Sequence, residues 1–129
     1  MLDQAPEAQA RRAMDLMLNR LGLLDTARAV AIQDYLRGTG GFSYSLTLAP
    51  TRTTVNGARV DPLTNFLLTK QGYCVQFATA MVMMARSEGI PARMAVGFLP
   101  GQVQVDGTRR VIAADAHTWP ELWVSGMGW

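Results

Sequence analysis

Apolar positions recur at helical spacing through the first two thirds of this chain and alternate in the last third. Over residues 6–21, Ala10, Ala13, Met14, Met17, Leu18 and Leu21 follow the three- and four-residue steps of an amphipathic helix, with Pro6 suited to its first turn and Gly22 to its stop. A second helix is expected from Asp25 or Thr26, either of which can cap it, to Arg37, ending at Gly38. Phe42, Tyr44, Leu46 and Leu48 then alternate with small polar residues, the pattern of a half-buried strand or an extended segment. Residues 49–60 read as an irregular connection with an Asn56-Gly57 turn. Asp61-Pro62 supplies a cap and a first-position proline for a short helix through Phe66 and Leu67. That helix breaks over 70–73, and a long one begins at or near Cys74, runs to Glu88 and closes at Gly89 with Pro91 just beyond.

Beyond that point the period becomes two. Met94, Val96 and Phe98 share one face of a strand, and Val103 and Val105 lead into Asp106-Gly107, the strongest short hairpin signal in the chain. A return strand passes through Val111 and Ile112, and another covers about 116–124. Residues 125–128 form a turn, and Trp129 reads as the first residue of a further strand. Helices first and antiparallel strands afterwards make an α+β fold. The 129 residues, 49% of them hydrophobic, suffice for one domain with a core.

Charge changes the picture little. The net charge is +2, Lys70 is the sole lysine, and the arginines are scattered rather than gathered with aromatics into a stripe. Nucleic-acid binding is therefore not indicated, despite a pI near 9.1. No apolar run approaches the roughly 18 residues of a membrane span, and the acidic, polar start is not a signal peptide. The abrupt beginning and the ending on Gly128-Trp129 suggest a piece excised from a longer protein.

Candidate chemistry narrows to two residues. Cys74 is the only cysteine and His117 the only histidine, so neither an internal disulfide nor a histidine-cluster metal site is available. A lone cysteine is commonly a small buried hydrophobe, and the apolar residues at 77, 78, 81, 82 and 85 are consistent with that. Position argues the other way. At the first turn of a helix, free backbone N–H groups and the positive end of the helix dipole stabilise a thiolate, and the same N–H groups can hold an oxyanion. The mostly apolar remainder of the helix is expected to be buried through the domain and to hold the sulfur rigidly. His117 shares its strand face with Asp115, Trp119 and Glu121; spacing alone leaves open whether it meets the cysteine or is a structural residue.

Taken together, FLLTKQGYCVQFATAMVMMARSEGIPAR, VGFLPG and DAHTWPELWVSGMGW resemble bacterial transglutaminase-like domains of the papain-like cysteine superfamily. The likeness lies in a glycine-aromatic-cysteine at a helix start and an arginine before Gly89-Ile90-Pro91-Ala92-Arg93. It continues through Gly97-Phe98, Asp-Ala-His-x-Trp followed by an acid and an aromatic, and a final Gly-Trp. It spans most of the chain and is nearest to domains carried on the extracytoplasmic side of large multi-span bacterial membrane proteins.

The resemblance implies Cys74 as nucleophile and His117 as general base and acid in two-step acyl transfer on amide or ester carbonyls of a protein or peptide, with no metal or cofactor. The family's third residue, an aspartate on the strand after the Gly-Trp, is expected beyond Trp129. Asp115 and Glu121 are weak substitutes, lying about 7 and 13 Å along the strand from His117 at about 3.3 Å per residue. A chain without the acid is expected to be a crippled catalyst, and one without the last strand to expose a sheet edge that invites self-association. Gln71, Tyr73 and Trp119 are candidates for the cleft or an oxyanion donor, with core packing as the competing role for the two aromatics. Arg86 and Arg93 are expected to anchor the helix end to the next strand. A non-catalytic module that binds peptide or cell-wall material in the same groove is the alternative function, and a structural domain with an inert thiol is the third.

Overall fold

The computed structural model describes residues 6–20 and 22–129. In chain order they form α1 (Pro6–Arg20), α2 (Leu23–Asp34), a π-helical turn (Tyr35–Thr39), β1 (Ser43–Tyr44), α3 (Pro62–Thr69), β2 (Gln71–Gly72) and α4 (Cys74–Ser87). These are followed by β3 (Ala92–Phe98), β4 (Gln102–Val103), β5 (Arg109–Arg110), a 3₁₀ turn (Ala113–Asp115) and β6 (Ala116–Leu122). The fold is α+β, with helices first and an antiparallel strand pair behind them.

α4 is the centre. It packs against α2, α3, β3 and β6, and its buried positions are Ala78, Ala80, Val82 and Ala85. Three of those four are alanines, so neighbouring backbones approach closely and bulk comes from the partners. On the sheet side, Val82 and Ala85 join Ile90, Ala92 and Leu122. On the helical side, Ala80 joins Leu36 and Phe66, flanked by Phe42, Phe77, Met81 and Met84. Ile32 of α2 touches both groups and ties them into one core. The helix is not buried all round, contrary to its apolar sequence: Val75 and Met83 lie 39% and 47% exposed.

Local chemistry explains the element ends. Asp61 caps α3 through its carboxylate, which accepts from the Thr64 amide at 3.0 Å, and Pro62 occupies the first turn. α2 starts earlier than an Asp25 or Thr26 cap would place it, because Gly22 takes the left-handed conformation (φ 69°) and the Thr26 hydroxyl donates to its carbonyl at 2.7 Å. A side chain at Gly22 would also strike the Ser125 carbonyl oxygen, so the α1–α2 corner closes only around glycine.

Three further expectations are corrected. The alternating stretch after Gly41 yields only the two-residue β1, with Tyr44, Leu46 and Leu48 exposed, because its one ladder partner is the equally short β2. The apolar stripe of α1 faces solvent at Met14 and Met17, since α1 packs on α2 alone among the elements in close contact; Leu21 of that stripe lies outside the described residues. The return of the Asp106-Gly107 hairpin pairs only at Arg109 and Arg110, leaving Val111 and Ile112 beyond the ladder and about half exposed. The hairpin turn itself is present, with Gly107 at φ 84° and its amide donating to the Gln104 carbonyl.

Candidate active site

The backbone leading into Cys74 is clamped on several sides. β2 pairs in parallel with β1, and the Ser45 amide donates to the Gly72 carbonyl at 2.7 Å. Gly72 is buried, and a Cβ there would lie 2.7 Å from the Gln76 Cβ and 3.0 Å from the Phe66 ring. The glycine is therefore a requirement of close approach. Tyr73 is the cap residue of α4, in extended conformation, and its amide donates to the Gln76 side-chain oxygen at 3.0 Å. Cys74 follows as the first helical residue, half-buried. Phe77, nearly one turn on, is held by Phe66 (ring centroids 5.0 Å apart) and by Phe42 and Tyr44. Lys70 completes the support, its ammonium donating to the Gly40 carbonyl and lying 5.4 Å over the Phe42 ring.

His117 stands on β6 opposite Gly97 of β3. Its ring stacks with that of Trp119 at 6.4 Å between centroids. A Cβ on Gly97 would come within 2.9 Å of the Trp119 indole, so the missing side chain is what lets the indole lie across β3. Cys74, His117 and Trp119 all line one cavity of about 530 Å³. The rest of its wall includes Phe42, Tyr44, Phe77 and Met81, with Leu36, Gln33 and Arg37 from the end of α2 and the π-helical turn. The cavity is apolar and aromatic over most of its wall, and no aspartate or glutamate lines it among the described residues.

The other sequence candidates lie elsewhere. Gln71 points away from this cavity: its side-chain amide donates to the Thr47 carbonyl at 2.7 Å and it lines a separate cavity of about 250 Å³ with Asn65 and Gln76. Tyr73 is half-buried and outside the cavity wall. Asp115 belongs to the 3₁₀ turn, where its carboxylate accepts from the Ile112 amide at 2.8 Å. Glu121 pairs with Arg93 at 2.7 Å, and that guanidinium also lies 4.0 Å from the centre of the Trp129 ring. Arg86 anchors the end of α4 to β3, both its Nε and Nη2 donating to the Ala92 carbonyl. Among the described residues no group of three or more histidine, cysteine or acidic side chains is placed to hold a metal. Arg37 was not singled out by sequence reasoning; its position just before Gly38, at the end of a predicted helix, is a signal too weak to identify it.

Known proteins resolve the family. The profile of the Transglutaminase-like superfamily matches residues 17–129. The chain belongs to that superfamily. This transglutaminase-like domain is 36% identical over 88 residues to a protein-glutamine gamma-glutamyltransferase of Pseudomonas aeruginosa, covering 67% of this chain and 12% of that protein. It is 33% identical to the uncharacterized protein YebA of Bacillus subtilis, covering 98% of this chain and 17% of that one. The domain thus spans less than a fifth of the length of either relative. Among solved structures it resembles the periplasmic domain of TgpA from Pseudomonas aeruginosa, with a TM-score of 0.65 at 29% identity over 88% of this chain and 38% of that one. The same domain bound to ethylmercury gives 0.59 at 33% identity over 78% of this chain and 34% of that one. The transglutaminase-like fold expected from the sequence is therefore present.

Proposed function

We propose that this domain performs cysteine-dependent acyl transfer on amide carbonyls of a protein or peptide, with Cys74 as nucleophile and His117 as general base and acid. The observation that carries the proposal is that the helix-start cysteine and the sole histidine, 43 residues apart in sequence (117 − 74), open onto one cavity. The imidazole takes the thiol proton, and the sulfur forms a bond to the carbonyl carbon while the carbonyl electron pair moves to oxygen. The first-turn amides of α4, which have no preceding helical carbonyl to bond, stabilise that oxyanion. The intermediate collapses with cleavage of the C–N bond, and His117 delivers its proton to the departing amine. The thioester is then attacked by a second nucleophile whose proton passes to His117, and the thiol is regenerated. Water as that nucleophile makes the domain a hydrolase; an amine makes it a cross-linking transferase, the activity in the name of its Pseudomonas relative.

The orienting acid is proposed to come from residues after Trp129, because Asp115 and Glu121 already serve the Ile112 amide and Arg93. The same engagement favours the second reading, a module that binds peptide in this cavity without turnover. The parent protein is proposed to be membrane-embedded with this domain on the extracytoplasmic face, in line with the periplasmic TgpA domain. No described helix is long and apolar enough to cross a membrane. Self-association through the outer edges of β3 and β6, unpaired among the described residues, belongs to the proposal and is checked by sedimentation.

Incubation with a p-nitrophenyl ester tests the central step. Intact-mass analysis should show one acyl adduct, mapped to Cys74, with release of one equivalent of nitrophenolate, and Cys74→Ala should show neither. Absence of an adduct in the wild type, with the ester still binding the cavity, would favour the binding module.

A further inference from the structure

Arg37 stands where the cavity meets the end of α2, on the π-helical turn Tyr35–Thr39. Such turns are rare and frequently accompany functional sites, because the extra residue re-aims the side chains around it. Here the turn sends Leu36 into the core, 4% exposed, and leaves Arg37 on the cavity wall. Arg37 makes no hydrogen bond or ion pair among the described residues, unlike Arg28, Arg86 and Arg93, which each hold a partner. Asp34, three residues earlier, shares a shallow surface recess with it but is not within ion-pair distance. Among the described residues the cavity wall thus carries one permanent charge, the positive one of Arg37. The same cavity is lined by Phe42, Tyr44, Phe77 and Trp119, a wall suited to a large apolar or aromatic side chain.

We infer that Arg37 is a specificity-determining residue that selects an acyl-donor peptide pairing an aromatic or apolar side chain with a carboxylate. This deepens the acyl-transfer reading and rests on it for the word donor; the binding preference itself does not need turnover. A guanidinium and a carboxylate form two parallel N–H···O bonds, which gives orientation as well as attraction. The same charge disfavours a cationic segment at that end of the cavity.

Paired titrations of the protein with N-acetylphenylalanine and its carboxamide, followed by NMR at low salt, test the inference. The carboxylate should bind roughly two- to five-fold tighter, the range of a solvent-exposed ion pair. Arg37→Gln should bring the ratio to about one, Arg37→Glu should invert it, and Arg37→Lys should restore part of it. Equal binding in the wild type, a ratio unaltered in Arg37→Gln, or no binding of either compound would overturn the inference. A carboxylate preference together with a Cys74 that forms no acyl adduct would sink the catalytic reading and keep this one. An adduct without any preference would do the reverse.

Discussion

Cys74 and His117 face the same cavity but are held by very different surroundings. Behind Cys74, the β1–β2 ladder, the Gln76 bond to the Tyr73 amide and the Phe42, Phe66 and Phe77 rings fix the chain from several directions. Behind His117 there is one strand partner, β3, and one stacked ring, Trp119. The apolar face of β3 meets α4 at Ala92 and, through the Thr79 hydroxyl, at Met94; at Val96 and Phe98 it is 80% and 62% exposed. The difference teaches that Cys74 is positioned by the core, whereas His117 rests on one strand pairing, a glycine and an indole. Helix packing organises the first completely. The sheet organises the second in part.

Substitutions that attack each side unequally sharpen this contrast. Phe66→Ala removes a ring that is 2% exposed in the core behind Cys74 and should cost about 3–5 kcal/mol in urea unfolding. Phe98→Ala on the open sheet face should change the same measurement by no more than about 0.5 kcal/mol. Comparable losses at the two sites would erase the distinction.

A smaller effect is expected at Gly97. An added methyl group must displace the Trp119 indole, costing about 1–3 kcal/mol. Because that indole stacks on His117, Cys74 alkylation should slow as well, and thiol-labelling rates corrected for unfolding provide the reading. Unchanged labelling would mean that Trp119 does not help to place the imidazole.

Glu121→Gln breaks a partly exposed pair with Arg93 and should cost less than about 1 kcal/mol. Labelling of Cys74 should hold, as it should in Asp115→Asn. A fall of several powers of ten in either variant would identify that residue as the orienting acid after all.

The smallest effect concerns pH. The Thr64 hydroxyl and then its amide hold the Asp61 carboxyl below the usual carboxylate range. A carboxyl whose folded-state value is depressed adds stability above about pH 4 and loses it as the pH falls through the depressed value. The stability difference between wild type and Asp61→Asn should therefore be present at pH 7 and shrink below about pH 4. A difference that grows in acid would contradict the assignment.

The parts of this molecule legible in sequence are those fixed by local rules. Asp61-Pro62 announced α3, the 70–73 break placed Cys74 at a helix start, and alternation marked β3 and β6. Burial was less legible, because it depends on what lies opposite. Val96 and Phe98 alternate as a buried face would but have nothing over them, and Met83 sits in an apolar run yet points outward. Gln71, next but one to the cap residue of α4, is near the cleft in sequence only. The β2 ladder turns its side chain toward Thr47 instead. Arg37 needed the π-helical turn, whose single extra residue per turn leaves no mark in a hydrophobic pattern.

The proposed chemistry requires that His117 activate Cys74. The direct measurement is the rate of iodoacetamide alkylation of Cys74 in wild type and in His117→Ala at pH 6, with circular dichroism confirming that both are folded. An imidazole acting on the thiol predicts a wild-type rate at least about tenfold higher. Equal rates in two folded proteins would contradict it.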